Sequence, residues 1–215
     1  MSYELMVALS YSIVLPVIGI LYQYKRVDTL YRPVMLCIVI GLVNEVISTL
    51  VAKSGHSNAL NNNIYCLAEA LLLLTQFKRC GLFDKTSWIY PALCIFFAGA
   101  WMIENHNWDK LNQFAAFFHG LEGATIVVLS IIQINILVAH YEGRLISSAG
   151  FIFCGAFCFY FCNVILLEIF LEFGKGASAG LRDDVFKAYA YANVITNIIY
   201  LTAILCIPRK QRSIV

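Results

Sequence analysis

The chain has 215 residues, 60% of them hydrophobic and 13% charged, and its 15 Lys and Arg against 13 Asp and Glu leave a net charge of +2. Globular domains are about 45–50% apolar and about 25% charged. With a mean hydropathy of +0.76, this composition excludes a disordered chain, a disulfide-rich secreted module and a nucleic-acid binder, which needs clustered cations. The class that remains is an integral membrane protein.

Crossing a hydrocarbon core of about 30 Å takes about 20 mostly apolar residues in a helix. Seven stretches fit, giving an all-α polytopic protein with seven transmembrane helices in a single domain, 1–215. Span one, 5–23, follows Met1–Glu4, whose charge is negative and unlike the basic start of a cleavable signal, so it reads as an uncleaved helix. Pro16 inside it predicts a kink. Span two, 33–52, has Pro33 in its first turn and carries Asn44 and Glu45. Span three, 59–77, opens on Asn61, Asn62 and Asn63; span four, 87–103, is short, starts near Pro91, and is flanked by Trp88, Tyr90, Trp101 and Trp108 as interfacial aromatics. Span five is 114–138, span six 149–171 and span seven 188–207, closed by Pro208. The longest segment outside the membrane is then 172–187, and no soluble domain is expected.

Ten basic residues fall on one side of this layout: Lys25, Arg26, Arg32, Lys78, Arg79, Lys85, Arg144, Arg209, Lys210 and Arg212. Five fall on the other: Lys53, Lys110, Lys175, Arg182 and Lys187. The positive-inside bias places the N-terminus outside and the C-terminus in the cytoplasm. The eight cysteines form no C-x-x-C pair; Cys154, Cys158 and Cys162 recur every fourth residue of span six and read as packing residues. Spans one to three and five to seven are compatible with a weak parallel repeat that matches Asn44 with Asn163 and Asn63 with Asn193.

An ionisable side chain inside a span marks a functional site by default, because its burial in lipid costs at least about 2.5 kcal/mol. Four carboxylates qualify, Glu45, Glu69, Glu122 and Glu168, while Glu104 and Glu172 lie nearer helix ends. No Lys or Arg lies deep in a span. A proton, a bound cation or a ligand amine must therefore neutralise them. Helical spacing puts Asn62, Tyr65, Glu69 and Gln76 on one stripe of span three. His119, Glu122, Ile126, Ser130 and Gln133 share a stripe of span five, and Tyr189, Asn193, Asn197 and Tyr200 one of span seven. Three polar stripes cannot all face lipid, so they are expected to converge. At most one of Asn44 and Glu45 points straight in, and Glu168, five residues from Asn163, points elsewhere. The expected pocket is outward-facing and lined by Glu45, Asn63, Tyr65, Glu69, His119, Glu122, Asn163, Asn193 and Asn197, with Glu69 at its centre.

A retinal photoreceptor needs a Schiff-base lysine in the last span, and 188–207 has none, so no cofactor is expected. His119-Gly-Leu-Glu122 has the spacing of a metal pair, but no second intramembrane histidine joins it and no G-x-S-x-G occurs; no catalytic or metal residue is assigned, and an intramembrane metal-dependent enzyme is the third choice. A proton- or cation-coupled transporter of small solutes would use the carboxylates but also needs a polar route inward, where only Gln76, Gln133 and Asn135 stand out. A receptor-like sensor fits the outward asymmetry best. Its short cytoplasmic loops would require a signalling partner, besides lipid and a small-molecule or cation ligand.

The pattern Asn44-Glu45 followed by Asn63-Ile-Tyr65-Cys-Leu-Ala-Glu69 resembles that of uncharacterised bacterial seven-helix membrane proteins. The resemblance covers under a tenth of the chain. It implies a bacterial cytoplasmic membrane and transfers no activity or residue role.

Overall fold

A computed structural model describes residues 3–24, 28–140, 144–174, 176 and 178–208. Lys25, Arg26, Lys175, Arg209, Lys210 and Arg212 lie outside the described residues, as do the side chains of Trp108 and Glu172. Every regular element among the described residues is helical. They are α1 (Tyr3–Ser10), α2 (Val14–Gln23), α3 (Arg32–Lys53), α4 (Ala59–Arg79), α5 (Ile89–Glu104), α6 (Trp108–Leu111), α7 (Ala116–His140), α8 (Ala149–Phe173) and α9 (Ala179–Leu205).

Local chemistry sets these boundaries. Between α1 and α2 the helix tightens to a 3-10 turn over Tyr11–Ile13, just before Pro16, which has no N–H to donate to the preceding turn. The side chain of Asp28 accepts from the Leu30 N–H and starts the turn that leads into α3. Helices α3 and α4 end alike. Gly55 and Gly81 adopt φ of 79° and 81°, which only glycine takes without strain. His56 N then donates to Val51 O while Gly55 N donates to Ala52 O, and Leu82 N to Phe77 O while Gly81 N donates to Lys78 O. These paired bonds satisfy carbonyls that a helix end leaves open.

One expectation shifts. Helix α9 starts nine residues before 188, so the expected non-membrane stretch 172–187 is partly helical. Hydropathy misses its first turns because they are charged, yet Ser178 Oγ accepts from Leu181 N and Lys187 Nζ pairs with Asp183 and Asp184 at 2.7 and 3.1 Å, which favours helix. The start of α7 is held by Glu104, whose two carboxylate oxygens accept from Phe117 N at 3.1 Å and Phe118 N at 2.7 Å. A carboxylate there satisfies orphan N–H groups and opposes the positive end of the helix dipole.

Five helical stretches are long and apolar enough to cross a membrane: Glu4–Gln23, Thr29–Lys53, Ala116–His140, Ala149–Leu171 and Gly180–Leu205. The other two expected spans also form helices, but α5 has only 16 residues and α4, with 21, is too polar to qualify. The packing explains α4. It lies against α3, α5 and α7, and only Ile64, Lys78 and Arg79 along it are exposed. Its polar side chains face protein. The other helices carry the exposed apolar surface, with Leu21 in α2, Leu50 in α3, Ile95 in α5, Val128 in α7 and Leu166 in α8 all outward.

The chain winds round so that its first and last helices meet: α9 packs on both α2 and α8, α8 on α7, and α3 on α2 and α4. Gly123 lets α7 and α8 approach closely, since a Cβ there would stand 2.9 Å from Ile165 Cγ1. The half of the bundle nearest the 80–88 connection is filled by rings. Phe157 packs on Phe77, Phe153 and Tyr200 with centroids 6.0–6.1 Å apart, and Phe153 also meets Tyr31 at 5.9 Å. Such contacts add to the burial of large apolar area.

Candidate functional site

The polar residues gather in the opposite half, nearest the 54–58 connection. The α7 stripe His119, Glu122, Ile126, Ser130 and Gln133 is buried along its whole length, and on α9 Thr196 and Asn197 are buried beside half-buried Asn193. Tyr65 on α4 and Tyr160 on α8 stand where three cavities meet. One, of about 260 Å³, lies between α1, α3 and α9 and is walled by Ser10, Asn44, Glu45, Asn62 and Asn193. A larger one, of about 400 Å³, lies between α4, α7 and α8 and holds Cys66, Glu69, His119, Glu122 and Glu168. A third, of about 40 Å³, reaches deeper past Glu69 to Thr196 and Asn197. Asn62, Phe186 and Tyr189 line both of the larger two. Among the described residues, no Lys or Arg lines any of them.

The largest cavity concentrates the charge. Glu69 and Glu122 are 7% and 2% exposed. A carboxylate oxygen of each and the Cys66 sulfur all lie within 4.8 Å of one another. The Tyr65 hydroxyl donates to Glu69 Oε1 at 2.8 Å, and the Cys37 thiol approaches the same oxygen at 3.9 Å. Glu122 Oε1 has no hydrogen-bond partner among the described residues. Beside them, His119 Nδ1 lies 3.0 Å from Glu168 Oε1, and its Nε2 lies 3.4 Å from the Asn62 amide nitrogen. Asn62 offers only N–H on that atom, so Nε2 is the acceptor and Nδ1–H donates to Glu168. Two buried carboxylates this close, with no Lys or Arg among the described residues of the cavity, require a proton or a cation to balance them.

Seven of the nine expected pocket residues line these cavities: Glu45, Tyr65, Glu69, His119, Glu122, Asn193 and Asn197. Asn197 also donates to Ser12 Oγ at 2.8 Å, tying α9 to the turn before α2. Asn63 and Asn163 stand apart. Asn63 is fully buried beneath the 105–115 connection. Its amide nitrogen donates to Asn105 Oδ1, Leu111 O and Gln113 O, its Oδ1 accepts from Ala115 N, and its carbonyl accepts from Trp101 Nε1. It is a knot that folds a loop. Asn163 donates to Phe159 O of its own helix at 2.7 Å and touches none of the cavities described.

Sequence reasoning sent Glu168 elsewhere, but it is Glu168 that enters the cavity and Asn163 that does not; the His119 ring selects between them. Asn44 and Glu45 both reach the first cavity, and Asn44 is also held by Asn61, whose amide donates to its Oδ1 at 2.6 Å. The matched pairs of the weak repeat therefore differ in role. Sequence reasoning gave Cys66 no role. The signal that could have found it is its i, i+3 spacing to Glu69.

A fourth cavity, of about 190 Å³, opens in the other half between Gln76, Cys80, Gln133 and Ser148. Burial pushes the Cys80 thiol up, against donation from Gln76, so this cavity has no charged group. Phe157 lines both it and the deep cavity that runs past Glu69. Ser130 Oγ and Gln133 Oε1, on the stripe that carries Glu122, also have no hydrogen-bond partner among the described residues. Comparison with protein-family models, with curated proteins and with solved structures gave no match for this chain.

Proposed function

We propose that the chain is a receptor-like membrane sensor that binds a small positively charged ligand in the cavities around Tyr65 and signals through a partner at the opposite face. The observation that carries this reading is the pair Glu69 and Glu122, buried on facing helices with no Lys or Arg among the described residues lining their cavity. A cationic ligand supplies the missing charge, and Tyr65, Tyr160 and Tyr189 supply ring faces that favour cations. In this reading α4 and α5 complete a seven-span bundle. At 1.5 Å per residue the 21 residues of α4 reach about 31 Å, enough for the hydrocarbon core. The cavity end faces outward, with the N-terminus outside and the C-terminus in the cytoplasm of a bacterial cell. Lys78, Arg79 and Lys85 then face the cytoplasm; Arg79 also donates to Thr29 O at 2.7 Å and Lys78 sits 4.3 Å over the Tyr90 ring.

The test is the unfolding midpoint of purified protein in micelles with putrescine or tetramethylammonium as probe. The wild-type midpoint should rise with probe concentration, and the rise should vanish in Glu69→Gln. No shift with either probe, or an equal shift in the variant, counts against the reading.

A second reading, a proton- or cation-coupled transporter, is favoured by the polar atoms without partners on α7, which run from Glu122 past Ser130 to Gln133 between the outer and inner cavities. Uptake of labelled putrescine into proteoliposomes, driven by a pH gradient, supports transport and removes the pure sensor.

A further inference from the structure

We infer that Cys66, Glu69 and Glu122 form a binding site for one divalent transition-metal ion of the zinc type, open to the largest cavity. The inference rests on the reading above and deepens it, by naming the cation that balances the buried carboxylates.

Three observations carry it. First, the donor set is complete for three protein ligands: one sulfur and two carboxylate oxygens from two facing helices, each within 4.8 Å of the others. Donors of a tetrahedral zinc-type site stand about 3.3–3.8 Å apart, since metal–sulfur and metal–oxygen bonds are about 2.3 and 2.0 Å. A side-chain adjustment of about 1 Å closes the site. Second, Glu122 Oε1 is buried and has no partner among the described residues, and it belongs to the carboxylate that joins this group. An oxygen left so costs free energy that a metal bond returns. Third, the fourth ligand has a place. The cavity adjoins the site and leaves a position for water or a ligand atom, while His119 in its wall is held by Asn62 at Nε2 and by Glu168 at Nδ1.

The donor chemistry selects the metal. Calcium takes six to eight oxygens and magnesium keeps an octahedral oxygen shell, so neither suits one sulfur and two carboxylates. Binding replaces both the Cys66 S–H proton and the proton that balances the two carboxylates in the metal-free site, and both protons leave to water in the cavity. With Cys66 as thiolate and both carboxylates ionised, a doubly charged ion cancels two of three negative charges.

The experiment uses the full chain in micelles, freed of metal by a chelator and titrated with Co²⁺ as the spectroscopic stand-in for zinc. The expected result is one metal per chain and a thiolate-to-cobalt charge-transfer band in the near ultraviolet. Zn²⁺ should abolish the band by displacement and Mg²⁺ should not. The band should be lost in Cys66→Ser and kept in Cys37→Ser, and affinity should fall at least tenfold in Glu122→Gln, with circular dichroism checking that each variant is folded. Cobalt bound without the band, or unaffected by Cys66→Ser and Glu122→Gln, overturns the inference. No metal binding, together with a tetramethylammonium shift that Glu69→Gln abolishes, overturns the metal site but leaves the cationic-ligand reading standing. Absence of both overturns the two together.

Discussion

Asn63 and Glu69 lie six residues apart on α4, and the fold treats them in opposite ways. Asn63 is fully buried with both ends of its amide engaged, chiefly on backbone groups of the 105–115 connection. Glu69 is buried beside a second carboxylate, and the oxygen of that neighbour, Glu122 Oε1, is left without a partner. Buried polar groups in proteins are nearly always satisfied. The satisfied one is explained by the loop it folds. The unsatisfied Glu122 oxygen is what the proposed cation accounts for.

The largest expected effect breaks the knot. Asn63→Ala removes four side-chain hydrogen bonds and strands buried partners, so stability should fall by about 3–4 kcal/mol. A lowered unfolding midpoint and faster proteolysis within 105–115 would register it. A smaller loss, about 1–2 kcal/mol, is expected for Glu104→Gln, because an amide keeps only one of the two acceptors at the start of α7. That loss makes Glu104 the structural counterpart of the site carboxylates, and the same midpoint measurement reads it. The smallest effect is at Asn163, whose bond stays within its own helix. Asn163→Ala should change stability by less than about 0.5 kcal/mol and leave the putrescine-induced midpoint shift unchanged. A lost shift would return Asn163 to the pocket.

How far these differences are legible in the sequence depends on where the partners come from. The helical stripes of α4, α7 and α9 follow from spacing alone, since periodicity fixes which residues share a face. Of the residues grouped that way, Tyr65, Glu69, His119, Glu122, Asn193 and Asn197 line the cavities. Asn63 lies off the α4 stripe, and its partners are the Asn105 side chain and backbone groups of a loop some 42–52 residues away, which no sequence pattern announces. Asn163 and Glu168 are separated by about 140° on α8, so one faces in and one out; only the His119 ring decides which. The polar Asn run that weakened the third span is the mark of a helix walled by protein. The charged start of α9 escapes hydropathy because Ser178 and the Asp183, Asp184 and Lys187 group stabilise it locally.

The central claim is that Glu69 and Glu122 serve a bound cation and not the fold. The most direct measurement is the unfolding midpoint of Glu69→Gln/Glu122→Gln against wild type, both stripped of metal in micelles. Gln keeps the shape of each side chain and an acceptor for the Tyr65 hydroxyl, and it removes the unbalanced charge. The expected midpoint is equal to or above that of wild type. A drop as large as that of Asn63→Ala would show that the two carboxylates hold the bundle together, and would contradict the account.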